Sequence, residues 1–140
     1  MECRVSWLGN DGMAFSAETG SGHLVNMDGA PEAGGRNLAP RPMELLLAGA
    51  GGCSAFDVVL ILQRARQAIS ACNVTLQAER ANEDPKVFTK INLHFTVKGK
   101  DLDQAKVDRA VKLSHEKYCS ATTMLAKTAE LTYSVEVISE

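Results

Sequence analysis

The four cysteines, Cys3, Cys53, Cys72 and Cys119, are the residues of this 140-residue chain best suited to chemistry. A thiolate is a nucleophile, a metal ligand and a redox group, and a second thiol within reach can trap an oxidised first one as a disulfide. Cys53 follows the cluster Gly49-Ala50-Gly51-Gly52 and precedes the apolar run Phe56-Asp57-Val58-Val59-Leu60-Ile61-Leu62. Each glycine inside a helix costs about 1 kcal/mol relative to alanine. The spacing therefore predicts a break at the glycines and a new helix over 53–67. A thiol at a helix start meets unpaired N–H groups and partial positive charge, which favour the thiolate. The competing reading is a buried cysteine in a tightly packed helix start. Asp57, at i+4 and on the same face, opposes ionisation of the thiol.

Cys119 sits in His115-Glu116-Lys117-Tyr118-Cys119-Ser120, where one helical pattern ends and another begins. His115 reaches the thiol only if the helix continues through Cys119. It then activates the thiol, shares a metal with it, or simply faces solvent. Two cysteines and one histidine make an incomplete zinc set without CxxC spacing, so neither a metal nor a cofactor is expected. Cys3 and Cys72, at a strand start and a helix-to-strand connection, read as packing residues. Gly20-Ser21-Gly22 lacks the rest of a phosphate-binding fingerprint, and His94 falls on the polar face of a strand.

These residues need elements to hold them. Cys3, Val5 and Trp7 alternate with Arg4 and Ser6, and Met13, Phe15 and Ala17 with Ala14 and Ser16, with Asn10-Asp11-Gly12 as the hairpin turn between them. A short strand over 23–28 leads into a loop over 29–42. Pro42 suits a first helical position, and Met43-Glu44-Leu45-Leu46-Leu47-Ala48 propagates a helix. The helix that follows the glycines is apolar almost all round, which predicts a central, buried element. Val74, Leu76 and Ala78 mark a strand. Val87, Thr89, Ile91, Leu93, Phe95 and Val97 give the cleanest period-2 pattern, predicting an antiparallel sheet with one wet face. Val107, Ala110, Val111, Ser114 and Tyr118 share a helix face capped by Asp101 or Asp103. A further helical segment holds Ala121, Met124, Leu125 and Thr128, and Leu131, Tyr133, Val135 and Val137 close the chain as a strand. The order predicts a single α+β domain over 1–140.

Composition narrows the function classes. The chain is 45% hydrophobic and 23% charged with a formal net charge of −2, and its basic residues are scattered among acids. That excludes the clustered basic face a nucleic-acid binder needs. The start Met1-Glu2-Cys3-Arg4 has no basic, apolar secretory pattern, and the longest uninterrupted apolar run, over 58–62, is short of a bilayer span. A cytoplasmic protein without membrane association is the expectation, and its thiols are then kept reduced.

The stretch Pro42-Met43-Glu44-Leu45-Leu46-Leu47-Ala48-Gly49-Ala50-Gly51-Gly52-Cys53-Ser54, with Glu116-Lys117-Tyr118-Cys119-Ser120 further on, resembles the OsmC/Ohr superfamily of osmotically inducible and organic hydroperoxide resistance proteins. Gly51-Gly52-Cys53-Ser54-Ala55 and Ile91-Asn92-Leu93-His94-Phe95 look closest to its YhfA-like branch. The resemblance covers essentially the whole chain. It implies an OsmC-like fold, with antiparallel sheets around a central buried helix in an intertwined homodimer. It also implies a thiol peroxidase in which Cys53 attacks the peroxide, Cys119 resolves the sulfenic acid as a disulfide, and a cellular dithiol reduces that disulfide. Three positions depart from the pattern. The glutamate that follows the proline in peroxidase members is replaced by Met43, and Glu44 stands one residue later, about 100° around a helix. No arginine occurs around Asn26-Met27-Asp28, Arg36 and Arg41 being neighbours in sequence only. Ser120 replaces the proline usual after the second cysteine. The implied site is thus Cys53, Cys119 and the displaced Glu44, acting on organic hydroperoxides. The alternative that the departures motivate is a binding protein for a small hydrophobic ligand, without turnover.

Overall fold

The computed structural model describes residues 1–140 and divides into two compact units, Met1–Leu47 and Ala48–Glu140. In the first, β1 (Cys3–Trp7), β2 (Phe15–Thr19) and β3 (Leu24–Met27) form an antiparallel sheet in that order. Asn10 and Asp11 turn the hairpin at φ 58° and 55°, the left-handed region that short polar side chains tolerate. The loop after β3 contains a short 3-10 turn, Pro31–Ala33, and is organised by the buried Asp28. The Asp28 carboxylate accepts the backbone N–H groups of Gly29, Arg36 and Leu38 at 2.7, 3.1 and 3.1 Å. These bonds, the one from Leu38 foremost, hold its pKa below the ordinary carboxylate value.

Helix α1 (Pro42–Arg64) is continuous and has no break at the glycines. Glu44 accepts the Arg41 N–H at 2.9 Å, the reach-back half of a capping box, and so fixes the helix start. Packing accounts for one of the three glycines: a Cβ on Gly51 would lie 2.7 Å from Leu76 Cδ1, whereas one on Gly49 or Gly52 would meet nothing within 4 Å. Cys53 therefore lies within the helix, and the helix-start argument for its activation fails. The expectation of a wholly buried helix also needs correction. Ala50, Gly51, Ser54, Val58 and Leu62 form one buried stripe, whereas Phe56 is 69% exposed. Uninterrupted, α1 has 23 residues and a mean hydropathy of 2.1 in its most apolar window, enough by length and composition alone to cross a membrane. Core helices of globular proteins meet the same criterion.

The second unit is built on β4 (Ala68–Arg80), β5 (Phe88–Lys100) and β6 (Glu130–Ser139), in that order. β4 pairs antiparallel with β5, but β6 runs parallel to β5, so the sheet is mixed and not purely antiparallel. The helices between β5 and β6 supply the crossover a parallel pair requires. Cys72 lies within β4, which begins earlier than its alternation suggests. Ile91, Leu93, Phe95 and Val97 face the core as their period predicts, but at the start of β5 Phe88 is buried and Thr89 is not. The register shift between Glu79 and Arg80 accounts for the change of phase. α2 (Gln104–Leu113) starts at Asp103, whose carboxylate accepts Ala105 N–H at 2.9 Å, and adds Val107, Ala110 and Val111 to the core. Burying such side chains contributes about 1.5–3 kcal/mol for each large one. A π-helical turn (Ser114–Tyr118) and α3 (Ser120–Leu125) follow.

A candidate dithiol site

The π turn sets the position of Cys119. Cys119 N–H closes the turn on the Ser114 carbonyl at 2.9 Å, and the backbone then extends (φ −72°, ψ 103°) before α3 begins. Single π turns inside helices often accompany functional sites because they re-aim the residues around them. Cys119 is fully buried and acts as the N-cap of α3, its sulfur accepting Thr122 N–H at 3.4 Å. Its carbonyl accepts the hydroxyls of Thr122 and Thr123 at 3.3 and 2.9 Å. From α1, the Ser54 hydroxyl lies 3.3 Å from the Cys119 sulfur.

Cys53 and Asp57 share the face of α1 toward this turn. The sulfurs of Cys53 and Cys119 and a carboxylate oxygen of Asp57 all lie within 4.8 Å of one another. Ser114 holds the carboxylate, its hydroxyl approaching Asp57 Oδ2 at 3.1 Å and the Ser54 carbonyl at 3.3 Å. Cys53 is half-buried while Cys119 is enclosed, so the pair is approached from the Cys53 side.

The two thiols are driven apart in acidity. Ala121 N–H points at Cys53 and pulls its pKa down, but burial, the Cys119 thiol and the Asp57 charge together leave it raised. Burial pushes Cys119 up, but the hydrogen bonds from Ser54, Thr122 and Cys53 outweigh it and leave its pKa lowered. Cys119 is thus the more acidic thiol of the pair.

Not every residue singled out from the sequence joins this cluster. His115 stacks against Tyr133 with ring centroids 4.9 Å apart, because the helix ends before Cys119 and the ring is not delivered to the thiol. His94 bonds Ser134 at 2.8 Å, and His23 bonds Ser21 at 3.1 Å. Glu44 is committed to the Arg41 N–H. Arg36 donates to the Asn10 carbonyl and Arg41 to the Asn37 side chain. Cys3 is exposed on β1, and Cys72 is half-buried, its thiol pKa raised by burial. Sequence reasoning missed Ser54, Ser114 and Thr122. Only Ser54, next to Cys53, carried a local signal; the others reach the site through the fold.

Beside Asp57 a groove of about 270 Å³ is walled by Leu60, Ile61, Leu113 and Tyr118, with Arg64 at its rim. Its size approaches that of small-molecule sites, and its apolar walls with a few charged groups match their chemistry. Two larger hollows belong to the first unit, one of about 400 Å³ between Glu2, Arg4, Glu18 and Thr19 and one of about 590 Å³ beside Cys3 and Ser21, and neither offers a second thiol.

This sheet-and-helix arrangement, with one thiol on the long helix and a second at the turn before α3, defines a class. Residues 34–134 match the family of OsmC-like proteins, and the chain belongs to that family. Within it, the chain is 51% identical over 139 residues to Protein YhfA of Escherichia coli (strain K12), covering 99% of each. The fold also matches an OsmC-like protein from Mycoplasma pneumoniae at 15% identity and a TM-score of 0.80, covering 98% and 96% of the two chains. An organic hydroperoxide resistance protein OsmC from Legionella pneumophila is similar at 19% identity and a TM-score of 0.68, covering 98% of each.

Proposed function

We propose that this protein is a cysteine-based reductase of organic hydroperoxides. The observation that carries the reading is the juxtaposition of the Cys53 and Cys119 sulfurs, within 4.8 Å of each other and of Asp57. The mechanism starts from the singly ionised pair. As peroxide approaches from the open side, the Cys53 proton passes to the Cys119 thiolate, and the Cys53 thiolate attacks the outer peroxide oxygen. The O–O bond breaks, Cys53 becomes a sulfenic acid, and the alkoxide leaves as alcohol by taking the proton from Cys119. The Cys119 thiolate then attacks the sulfenic sulfur, forming the disulfide and expelling hydroxide, which takes one proton from solvent to leave as water. A cellular dithiol returns the two electrons and two protons. Leu60, Ile61, Leu113 and Tyr118 offer an apolar wall for the organic part of the substrate. Glu44, bonded to its helix start, has no part in this scheme.

The working state we propose is a cytoplasmic homodimer of one OsmC-like domain. Its support is apolar surface in both units: Val5, Trp7 and Leu24 in the first and Phe56 and Met124 in the second are 56, 59, 72, 69 and 73% exposed. Large apolar side chains left exposed in both units are the kind of surface that association covers.

The test is consumption of cumene or tert-butyl hydroperoxide with dithiothreitol as reductant. The wild type turns over and Cys53→Ser does not. Equal, slow oxidation of both proteins overturns the proposal. A second reading, a binding protein for a small hydrophobic ligand, is favoured by the raised Cys53 pKa and the groove beside Asp57. Saturable binding of an apolar fluorophore without peroxide turnover would establish it.

A further inference from the structure

We propose that the reduced dithiol, together with Asp57, is a binding site for a thiophilic divalent cation of the zinc type. Three donor atoms of two chemical kinds converge within 4.8 Å of one another. A tetrahedral zinc with Zn–S bonds of about 2.3 Å sets its sulfurs roughly 3.8 Å apart. Closing the sulfur pair by about 1 Å or less, and the carboxylate oxygen by up to roughly 1.3 Å, reaches that geometry. The half-buried Cys53 side chain can make this movement, whereas Cys119 is fixed by Ser54 and Thr122. Cys53 and Asp57, one helical turn apart, approach from one side and Cys119 from the other.

The surroundings suit a cation. The Asp57 carboxylate is oriented by Ser114 as ligating carboxylates are oriented by their outer partners. Arg64 shares the groove with Asp57, but no lysine or arginine bonds Asp57, Cys53 or Cys119, so two ionised thiols and a carboxylate would have no directly paired counter-charge. Metal binding releases the thiol protons to solvent and supplies that counter-charge. The fourth position faces the open side, where water or a small ligand completes the shell.

One regulatory consequence follows, and it rests on the peroxidase reading. Zinc occupies both sulfurs that the peroxide cycle needs, and a disulfide removes both sulfur ligands. Metal loading and oxidation therefore exclude each other: zinc arrests the cycle, and the disulfide formed from the metal-free protein cannot take up the metal.

The experiment uses the full chain with Cys3→Ser and Cys72→Ala, leaving the site thiols only, and Co²⁺ as the spectroscopic probe under anaerobic, reducing conditions. One equivalent of Co²⁺ should raise a thiolate-to-metal charge-transfer band that Zn²⁺ abolishes. Cys119→Ser should lose the two-thiolate spectrum. Ser114→Ala should weaken affinity ten- to hundredfold, and Asp57→Asn at least as much. No band in the reduced protein overturns the site, as does an affinity unchanged by Asp57→Asn. An intact band without peroxide turnover defeats the peroxidase and leaves the metal site standing. A single turnover of the reduced protein with cumene hydroperoxide, without added reductant, that saturating Zn²⁺ leaves undiminished overturns the mutual exclusion.

Discussion

The Ser54 hydroxyl lies 3.3 Å from the buried Cys119 sulfur, tying the middle of α1 to the turn that begins α3. Ser54 is itself buried, so this contact is not exchanged for water. It helps decide which member of the dithiol carries the charge.

Ser54→Ala should therefore raise the Cys119 pKa. With one stabilising donor lost, burial counts for more, and the thiolate fraction at neutral pH falls. Thiolate ultraviolet absorbance against pH should titrate later than in the wild type. The lost bond should also reduce stability by roughly 1 kcal/mol in chemical denaturation. An unchanged titration would show that Thr122 and Cys53 suffice.

Asp57→Asn acts in the opposite sense on Cys53. The carboxylate is one of the causes that raise this thiol's pKa, and the neutral amide removes it. The pH profile of Cys53 alkylation by iodoacetamide should move to lower pH. A shift to higher pH would contradict the charge assignment.

The glycines of α1 separate packing from propensity. A Cβ at Gly51 meets Leu76 at 2.7 Å, while one at Gly49 meets nothing within 4 Å. Gly51→Val should destabilise the protein by about 1–3 kcal/mol through overpacking. Gly49→Ala should stabilise it by up to about 1 kcal/mol through helix propensity. Urea denaturation of both variants checks the pair, and equal effects would remove Leu76 as the reason α1 is unbroken.

Much of the fold was legible because short-range chemistry agreed with it. Asn10 and Asp11 announced the hairpin, Asp103 capped α2, and the alternation from Ile91 to Val97 pointed the right side chains inward. The continuity of α1 was not legible, since Leu76 belongs to a strand whose contact with Gly51 no local rule contains. Nor was the parallel pairing of β6 with β5, because alternation reports faces and not partners. The two cysteines were legible at the site, whereas the third donor was read only as an opponent of ionisation. Ser114 was legible as part of a helix face, but its role was not, because its partners, Asp57 and the Ser54 carbonyl, come from α1.

Asp28 gives a pH-dependent prediction away from the dithiol. Its folded pKa is depressed, so its stabilising contribution is present above the ordinary carboxylate value near 3.9 and is lost as pH falls through the folded value. Asp28→Ala should speed hydrogen exchange at the Arg36 and Leu38 amides at neutral pH, since both donate to its Oδ2. The same amides in the wild type should lose protection on acidification. Protection unchanged in Asp28→Ala would show that the carboxylate does not order the loop.

Peptide mapping by mass spectrometry after one equivalent of cumene hydroperoxide tests the dithiol most directly. A Cys53–Cys119 disulfide should form in the wild type, and a sulfenic acid should accumulate on Cys53 in Cys119→Ser. Oxidation confined to the exposed Cys3, with Cys53 and Cys119 still reduced, would contradict the account.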